Sequence, residues 1–357
     1  MRGDADMFLC PKCNSKMTLP SCSFCGHTIP RLNHIWQFTD APDMVIDGDK
    51  DKYIGYEHIG ENYSGSRKYL LEERDVLFAE EVSSLISSGQ EAAQLSADPD
   101  KIILDLACGD GCFTVPCAKN GARLIAGDIS NTMLRLLQEK AAHNHISLEN
   151  VTLCRMNALA IPLADESVDI VTANSMLHLI SNPQKVLCEI YRILKKGGCF
   201  ICQDDRPGKN LRSDLSHQEN GHPPKYNEAQ IQADNEKYSQ LVNAFYNGYW
   251  QKLMPQGILP KKYSWKFDRD QLCSGLFSTR EEKLIPRGTP YETTLEDGFL
   301  PRIINRGFSD QTHVPKDAHE KAIHELLDEF HENYGEDFGR TMFHGVEDDL
   351  LITAYRK

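Results

Sequence analysis

Two acids and two glycines stand at a spacing that can hold a nucleoside. In KIILDLACGDGCFTVPCAKNGARLIAGD, Lys101 to Asp128, the acids are Asp105 and Asp128 and the glycines are Gly109 and Gly111. Glycine lacks Cβ, so the chain can turn sharply there and a ligand can approach the backbone closely. A carboxylate at a strand tip can accept from both hydroxyls of a ribose, the role that suits Asp128. Asp105 is well placed for an ammonium group and badly placed beside a pyrophosphate. A dinucleotide fingerprint would also want a third glycine three residues after Gly111, where Thr114 stands. The pattern points to an adenosine-type cofactor other than a dinucleotide.

A second chemical set lies near the N-terminus. Cys10-x-x-Cys13 and Cys22-x-x-Cys25 are separated by eight residues. Each pair curls the backbone so that two thiolates aim at one centre, and two pairs complete a tetrahedral zinc site. Pro11 and Gly26 suit such turns. Four thiolates leave no open position, so this metal is structural, and it replaces the core that so short a segment cannot build. His27, just after the last cysteine, reads as a loop residue.

The elements that must position the acids follow from the apolar pattern. Ile102-Ile103-Leu104 is a short strand ending on Asp105. The turn from Ala107 to Gly111 leads into a helical segment that runs to about Lys119. Gly121 stops it, and Leu124-Ile125-Ala126 is a second strand ending on Asp128. Strand, turn, helix and strand make one βαβ unit, with its ligand-facing turn at the carboxyl end of the first strand.

These residues carry a resemblance. Asp105-Leu-Ala-Cys-Gly109-Asp-Gly111 resembles motif I of the class I S-adenosylmethionine-dependent methyltransferases, with Ala107 in place of the first glycine of the commonest form. The resemblance covers roughly Lys101 to Asp204 and the last strand. It implies an α/β fold: a doubly wound, mostly parallel, seven-stranded Rossmann-like sheet. It also implies that Asp128 and Ile129, with Met133, hold ribose and adenine. Asn157-Ala158 stands where the family usually has an acid and a small residue against the adenine; Asn157 keeps a carbonyl acceptor and loses the charge. Asn174, at the end of the fourth strand, is placed for substrate or for the amino-acid part of the cofactor. His178 lies at the mouth of the site and is a candidate base. In such enzymes a segment before the first core strand lies over the cofactor, which makes Tyr53, Tyr56 and Tyr63 candidates for covering it. Tyr63 is taken with His178 as a catalytic candidate. Ordinary aromatic packing is the alternative for all three tyrosines.

Elsewhere the chain reads as follows. Residues 1–39 are the zinc ribbon, 40–65 a linker and lid segment, and 66–205 the catalytic core. Residues 206–300 are a substrate-cap insertion and 301–357 complete the sheet. Ser66 to Ser88 is predicted as an amphipathic helix, Ser130 as a helix N-cap, and Pro183 to Lys196 as a helix closed by Gly197-Gly198. Residues 236–267 are rich in aromatics, which suits either a lining for a planar or apolar acceptor or a small core. Residues 316–338 read as an acidic helix. The sixth strand has no visible signal.

The chain has 357 residues, a net charge of -13 and twelve cysteines. The acidic balance disfavours broad contact with nucleic acid or an anionic membrane. No stretch has the apolar length of a membrane span, and MRGDADMFLC lacks a secretion pattern, so the expected setting is cytoplasmic with reduced thiols. The reading is methyl transfer from S-adenosylmethionine to a small-molecule acceptor by in-line attack. Two alternatives stand beside it: a ribosomal RNA base methyltransferase that contacts RNA through the ribbon, and a non-catalytic cofactor-binding module.

Overall fold

The computed structural model describes residues 7–40, 56, 68–86, 101–180, 182–203, 227–260, 267–285, 287, 290–311, 313–347 and 349–357. In chain order the N-terminal strands are β1 (Phe8–Leu9), β2 (Lys16–Met17), β3 (Arg31–Leu32) and β4 (Ile35–Gln37), followed by helix α1 (Glu73–Ile86). Then come β5 (Ile102–Leu106), α2 (Thr114–Lys119), β6 (Arg123–Asp128), α3 (Asn131–His143), β7 (Val151–Arg155), β8 (Val168–Thr172), α4 (Pro183–Ile193) and β9 (Leu194–Gln203). The remainder is α5 (Glu228–Leu253), α6 (Arg269–Ser274), β10 (Thr279–Ile285), β11 (Pro290–Thr293), α7 (Phe299–Ile304), α8 (Lys316–Tyr334), β12 (Phe343–Val346) and β13 (Leu350–Arg356).

The central sheet runs β10-β13-β9-β8-β5-β6-β7-β4-β3. Pairing is parallel from β9 through β4, while β13 and β10 at one end and β3 at the other are antiparallel. The strand order reverses between β5 and β8, and an open sheet of this kind has its crevice outside the carboxyl ends of the strands at that point. β5 is buried along its whole length, as a central parallel strand covered on both faces must be. Leu104, Leu106 and Val171 pack with Val186, Leu187 and Ile190 of α4 on one face. Ile103, Leu124 and Ile201 pack with Phe78, Ala79 and Val82 of α1 on the other. Among the described residues no helix is long and apolar enough to cross a membrane.

Seven strands form the expected sheet, and two more come from the N-terminal segment. β4 adds parallel to β7, and β3 closes back on it. The ribbon is therefore part of the sheet. Phe8 stacks on Phe38 at 5.2 Å, and Met7, Phe8, Cys10, Met17, Cys22 and Ile29 lie in the same buried cluster as α4. The sixth strand is β10, whose sequence TREEKLI is exposed up to its last residue. An edge strand dressed in charge resists pairing with other chains, and that dress hides the apolar alternation by which a strand is read.

Three local expectations shift. α1 starts at Glu73, and Leu70, inside the predicted helix, precedes it and is exposed; Ser66 and Ser88 lie outside the described residues. α4 ends at Ile193, because Leu194 already pairs with Val168 of β8, and the register shifts before Cys199 pairs with Ile170. The boundary at residue 300 also moves. α6 and β10, inside the span 206–300, belong to the sheet, whereas α7, α8 and β12 join α5 in a separate apolar cluster from Leu241 to Phe343. The chain leaves the sheet after β9, returns for α6 and β10, leaves again, and returns as β13. The acidic helix α8 buries His319, Ala322, Ile323, Leu326 and Phe330, so it is a wall of this second lobe.

Candidate functional site

Three left-handed residues fold the turn after β5: Ala107 at φ +57°, Gly109 at +55° and Gly111 at +85°. The two glycines serve different ends. A Cβ on Gly109 would meet nothing within 4 Å, and Gly109 lines a large cavity. A Cβ on Gly111 would lie 2.6 Å from Leu137 Cγ and 2.9 Å from Val115 Cγ2. Gly111 is not in the cavity wall; it lets α3 pack against the turn. Ala107 takes a conformation that costs an L-residue about 1–2 kcal/mol, and its small side chain reaches the cavity.

Asp105 and Asp128 are both buried and both line the cavity. Asp105 accepts from Thr114 Oγ1 at 2.5 Å and from Thr172 Oγ1 at 3.1 Å. The residue that breaks the dinucleotide fingerprint thus orients the first acid. Burial drives the Asp105 carboxyl up to about 6, against the pull of these two hydroxyls and with the help of the Asp128 charge. Asp128 accepts from Gly109 N–H at 2.9 Å through Oδ2 and from Ser130 N–H at 2.9 Å through Oδ1. The turn and the second acid therefore hold one another. Ser130 also caps α3, its hydroxyl accepting from Met133 N–H at 3.2 Å.

The cavity measures about 1090 Å³. One ligand usually occupies roughly 300–1,000 Å³, so there is room for two molecules. Ile129, Met133, Asn157, Ala158 and Asn174 all line it. Asn157 Oδ1 already accepts from Leu159 N–H at 2.9 Å, and Asn174 Oδ1 accepts from Gln203 N–H at 2.9 Å, so both amides also brace backbone. His178 is absent from the cavity wall, although Met176 and Leu179 on either side of it are present. Tyr56 lines the cavity, while Tyr53 and Tyr63 lie outside the described residues.

The far wall comes from the second lobe. Tyr238, Tyr291, Phe299, Phe308, Phe343 and His344 line it. Phe245, Tyr249 and Trp250 from the aromatic stretch pack the lobe's interior instead. No local pattern marks His344 as a site residue, because the partner that orients it, Asp234, is 110 residues away. A buried ion pair, Lys140 Nζ to Asp110 Oδ2 at 3.0 Å, also lines the cavity beside the turn.

The two cysteine knuckles are built alike. Cys10 and Cys22 carbonyls accept from Asn14 and Gly26 N–H, and Cys10 and Cys22 N–H donate to Ser15 and His27 carbonyls. Asn14 and Gly26 are both left-handed. Cys10 Sγ lies 3.6 Å from Cys25 Sγ and Cys13 Sγ lies 3.7 Å from Cys22 Sγ, and all four atoms are within 4.8 Å of one another. A tetrahedron with metal–sulfur bonds of about 2.3 Å has edges of about 3.8 Å, so the four sulfurs fit zinc and are too far apart for disulfides. None of the described residues 7–40 lines the cavity.

Residues 104–202 match the methyltransferase domain family. This segment is a class I methyltransferase domain. Over 125 residues the chain is 34% identical to a demethylmenaquinone methyltransferase of Lactiplantibacillus plantarum, covering 33% of this chain and 52% of that protein. Over 162 residues it is 30% identical to a ubiquinone/menaquinone biosynthesis C-methyltransferase of Pseudoalteromonas translucida, covering 43% and 64%. The chain thus spans about half to under two thirds of the length of these relatives. The solved structure of the YcgJ protein of Bacillus subtilis aligns at 14% identity with a TM-score of 0.41, covering 80% of this chain and 99% of that one.

The methyltransferase domain's two glycines should separate in a denaturation experiment. Gly111→Ala adds overpacking to backbone strain and should cost about 2–5 kcal/mol. Gly109→Ala carries the strain alone and should cost about 1–2 kcal/mol. Equal losses in urea titrations would contradict the packing role of Gly111.

Proposed function

We propose that this chain binds S-adenosylmethionine across the Gly109 turn and transfers its methyl group to a small, planar, quinol-type acceptor under the second lobe. The observation that carries the reading is the pair of buried acids, Asp105 and Asp128, on the wall of one cavity large enough for two molecules. Asp128, oriented by Gly109 and Ser130, takes the ribose diol, and Ile129 and Met133 flank the adenine beside Ala158. Asp105, oriented by Thr114 and Thr172, attracts the ammonium group. When bound, S-adenosylmethionine supplies an electrophilic methyl, which the acceptor's nucleophile takes in line as the carbon–sulfur bond breaks. The chain's own task is to hold both partners on one axis near contact distance. The activities named for the relatives, demethylmenaquinone and ubiquinone/menaquinone methylation, and the aromatic far wall both favour a flat aromatic acceptor.

The four cysteines hold zinc in this reading, and the zinc staples the ribbon to the sheet rather than acting on substrate. The docking of Cys10 and Cys22 into the sheet's main core supports that role. Contact with RNA through the ribbon gains no support, since its described residues stand apart from the cavity and the chain carries a net charge of -13.

Calorimetry with S-adenosylhomocysteine tests the binding half. Asp128→Ala should weaken binding by about 1–3 kcal/mol, the cost of leaving hydroxyls unpaired. The pH dependence has a definite sign. The Asp105 carboxyl titrates at about 6 and is neutral below that, whereas the ammonium needs its ionised form. Affinity should therefore drop about tenfold from pH 7 to pH 5; a flat profile would remove Asp105 from this role. Metal analysis of the purified protein should find about one zinc per chain, and stripping it should lower the melting temperature. Turnover is tested with 1,4-naphthoquinol, where added methyl and released S-adenosylhomocysteine should appear together.

A further inference from the structure

His344 on β12 sits in the cavity wall, and its ring is fixed from behind. Nδ1 lies 2.7 Å from Asp234 Oδ2 on α5, and the same oxygen accepts from His344 N–H at 3.0 Å. Asp234 Oδ1 accepts from Gln230 Nε2 at 2.9 Å. Burial pushes the Asp234 carboxyl up, but the bonds from His344 and Gln230 outweigh it and hold the group below the usual carboxylate range. An ionised carboxylate only accepts, so Nδ1 carries the proton in neutral His344, and Nε2 carries the lone pair.

We propose that His344, oriented by Asp234, is the general base that takes the proton from a hydroxyl of the acceptor. The inference rests on the reading of this cavity as a methyl-transfer site. The hydroxyl's O–H bond breaks, its proton goes to Nε2, and its electron pair stays on the acceptor. The oxygen, or the ring carbon it activates, forms the new bond to the methyl carbon. The carbon–sulfur pair stays on sulfur, so cationic donor and neutral acceptor give two neutral products and one imidazolium, which then loses its proton to solvent.

Carboxylates stand around the ring. Asp234 bonds it from α5, Glu292 is its register partner on β11, and Glu347 lies three residues further along the chain. Glu292 and Glu347 both line the cavity, as does Arg287, which pairs with Glu347 and Glu73. Asp234 is a positioning residue, since it acts through the ring. The base thus comes from the second lobe, opposite the strand tips, and His178 is not required for it.

Two measurements decide the matter. Nitrogen-15 NMR of histidine-labelled protein should show His344 with a protonated Nδ1 and an unprotonated Nε2 in its neutral form; the opposite tautomer overturns the proposal, whether or not an acceptor is in hand. With 1,4-naphthoquinol and S-adenosylmethionine, His344→Ala should lower kcat by roughly 10²–10⁴-fold while S-adenosylhomocysteine affinity stays unchanged. The KM for the quinol should stay within about twofold, so that the loss falls on kcat. Asp234→Asn should lower kcat by less, leave cofactor affinity unchanged and shift the neutral ring toward the other tautomer in the nitrogen-15 spectrum. An unchanged kcat in His344→Ala sinks the proposal. A wild type that leaves the quinol unmethylated overturns the acceptor reading alone, and the NMR result then decides the base.

Discussion

Two carboxylates buried beside one crevice repel each other and lose their water, and the structure must answer both costs. It does so with fixed donors. Asp105 is met by two threonine hydroxyls from α2 and β8, and Asp128 by two backbone N–H groups from the turns after β5 and β6. The Asp105 carboxyl nevertheless stays near 6, so the compensation is incomplete. A site left short of positive charge in this way is suited to a cation. Much of the local geometry follows from that requirement: the left-handed turn at Gly109, the capping serine at 130, and the parallel register that brings both strand tips to the same edge.

The second lobe supplies what the sheet cannot. A parallel sheet presents strand tips and loops on one side only, so the opposite wall must come from elsewhere. Here the chain crosses between sheet and lobe repeatedly, with β10 and β13 flanking the excursions in the sheet's antiparallel edge. This interleaving ties α5, α8 and the β11–β12 pair to the sheet through more than one crossing. It also brings Asp234 and His344 together from opposite ends of the lobe.

Legibility in the sequence tracked the range of the interactions. β5, the Gly109 turn, β6 and the Ser130 cap are specified by neighbours in the chain, and the apolar pattern with its punctuating glycines and acids displays them directly. The same is true of the cysteine knuckles. β10 escaped notice because an edge strand exposes charge. The lobe boundary was misplaced because its core is assembled from segments a hundred residues apart. Gly111 read as a site for close ligand approach, and only the packing of Leu137 reveals its other use. His178 looked like a base because it follows a strand end, but a side chain's direction in a short 3₁₀ turn is set by packing, and the cavity wall passes it by.

The ribbon extends the same sheet on its other edge, with its four cysteine sulfurs gathered within 4.8 Å of one another. The sheet's central claim is that Asp128 and Asp105 grip one nucleoside from two ends. A crystal structure of the protein with S-adenosylhomocysteine tests this most directly. The account predicts the ribose hydroxyls on the Asp128 carboxylate, the adenine between Met133 and Ala158, and the amino group on the Asp105 side of the Gly109 turn. A ligand bound elsewhere, or lying in this crevice with its ribose away from Asp128, would contradict it.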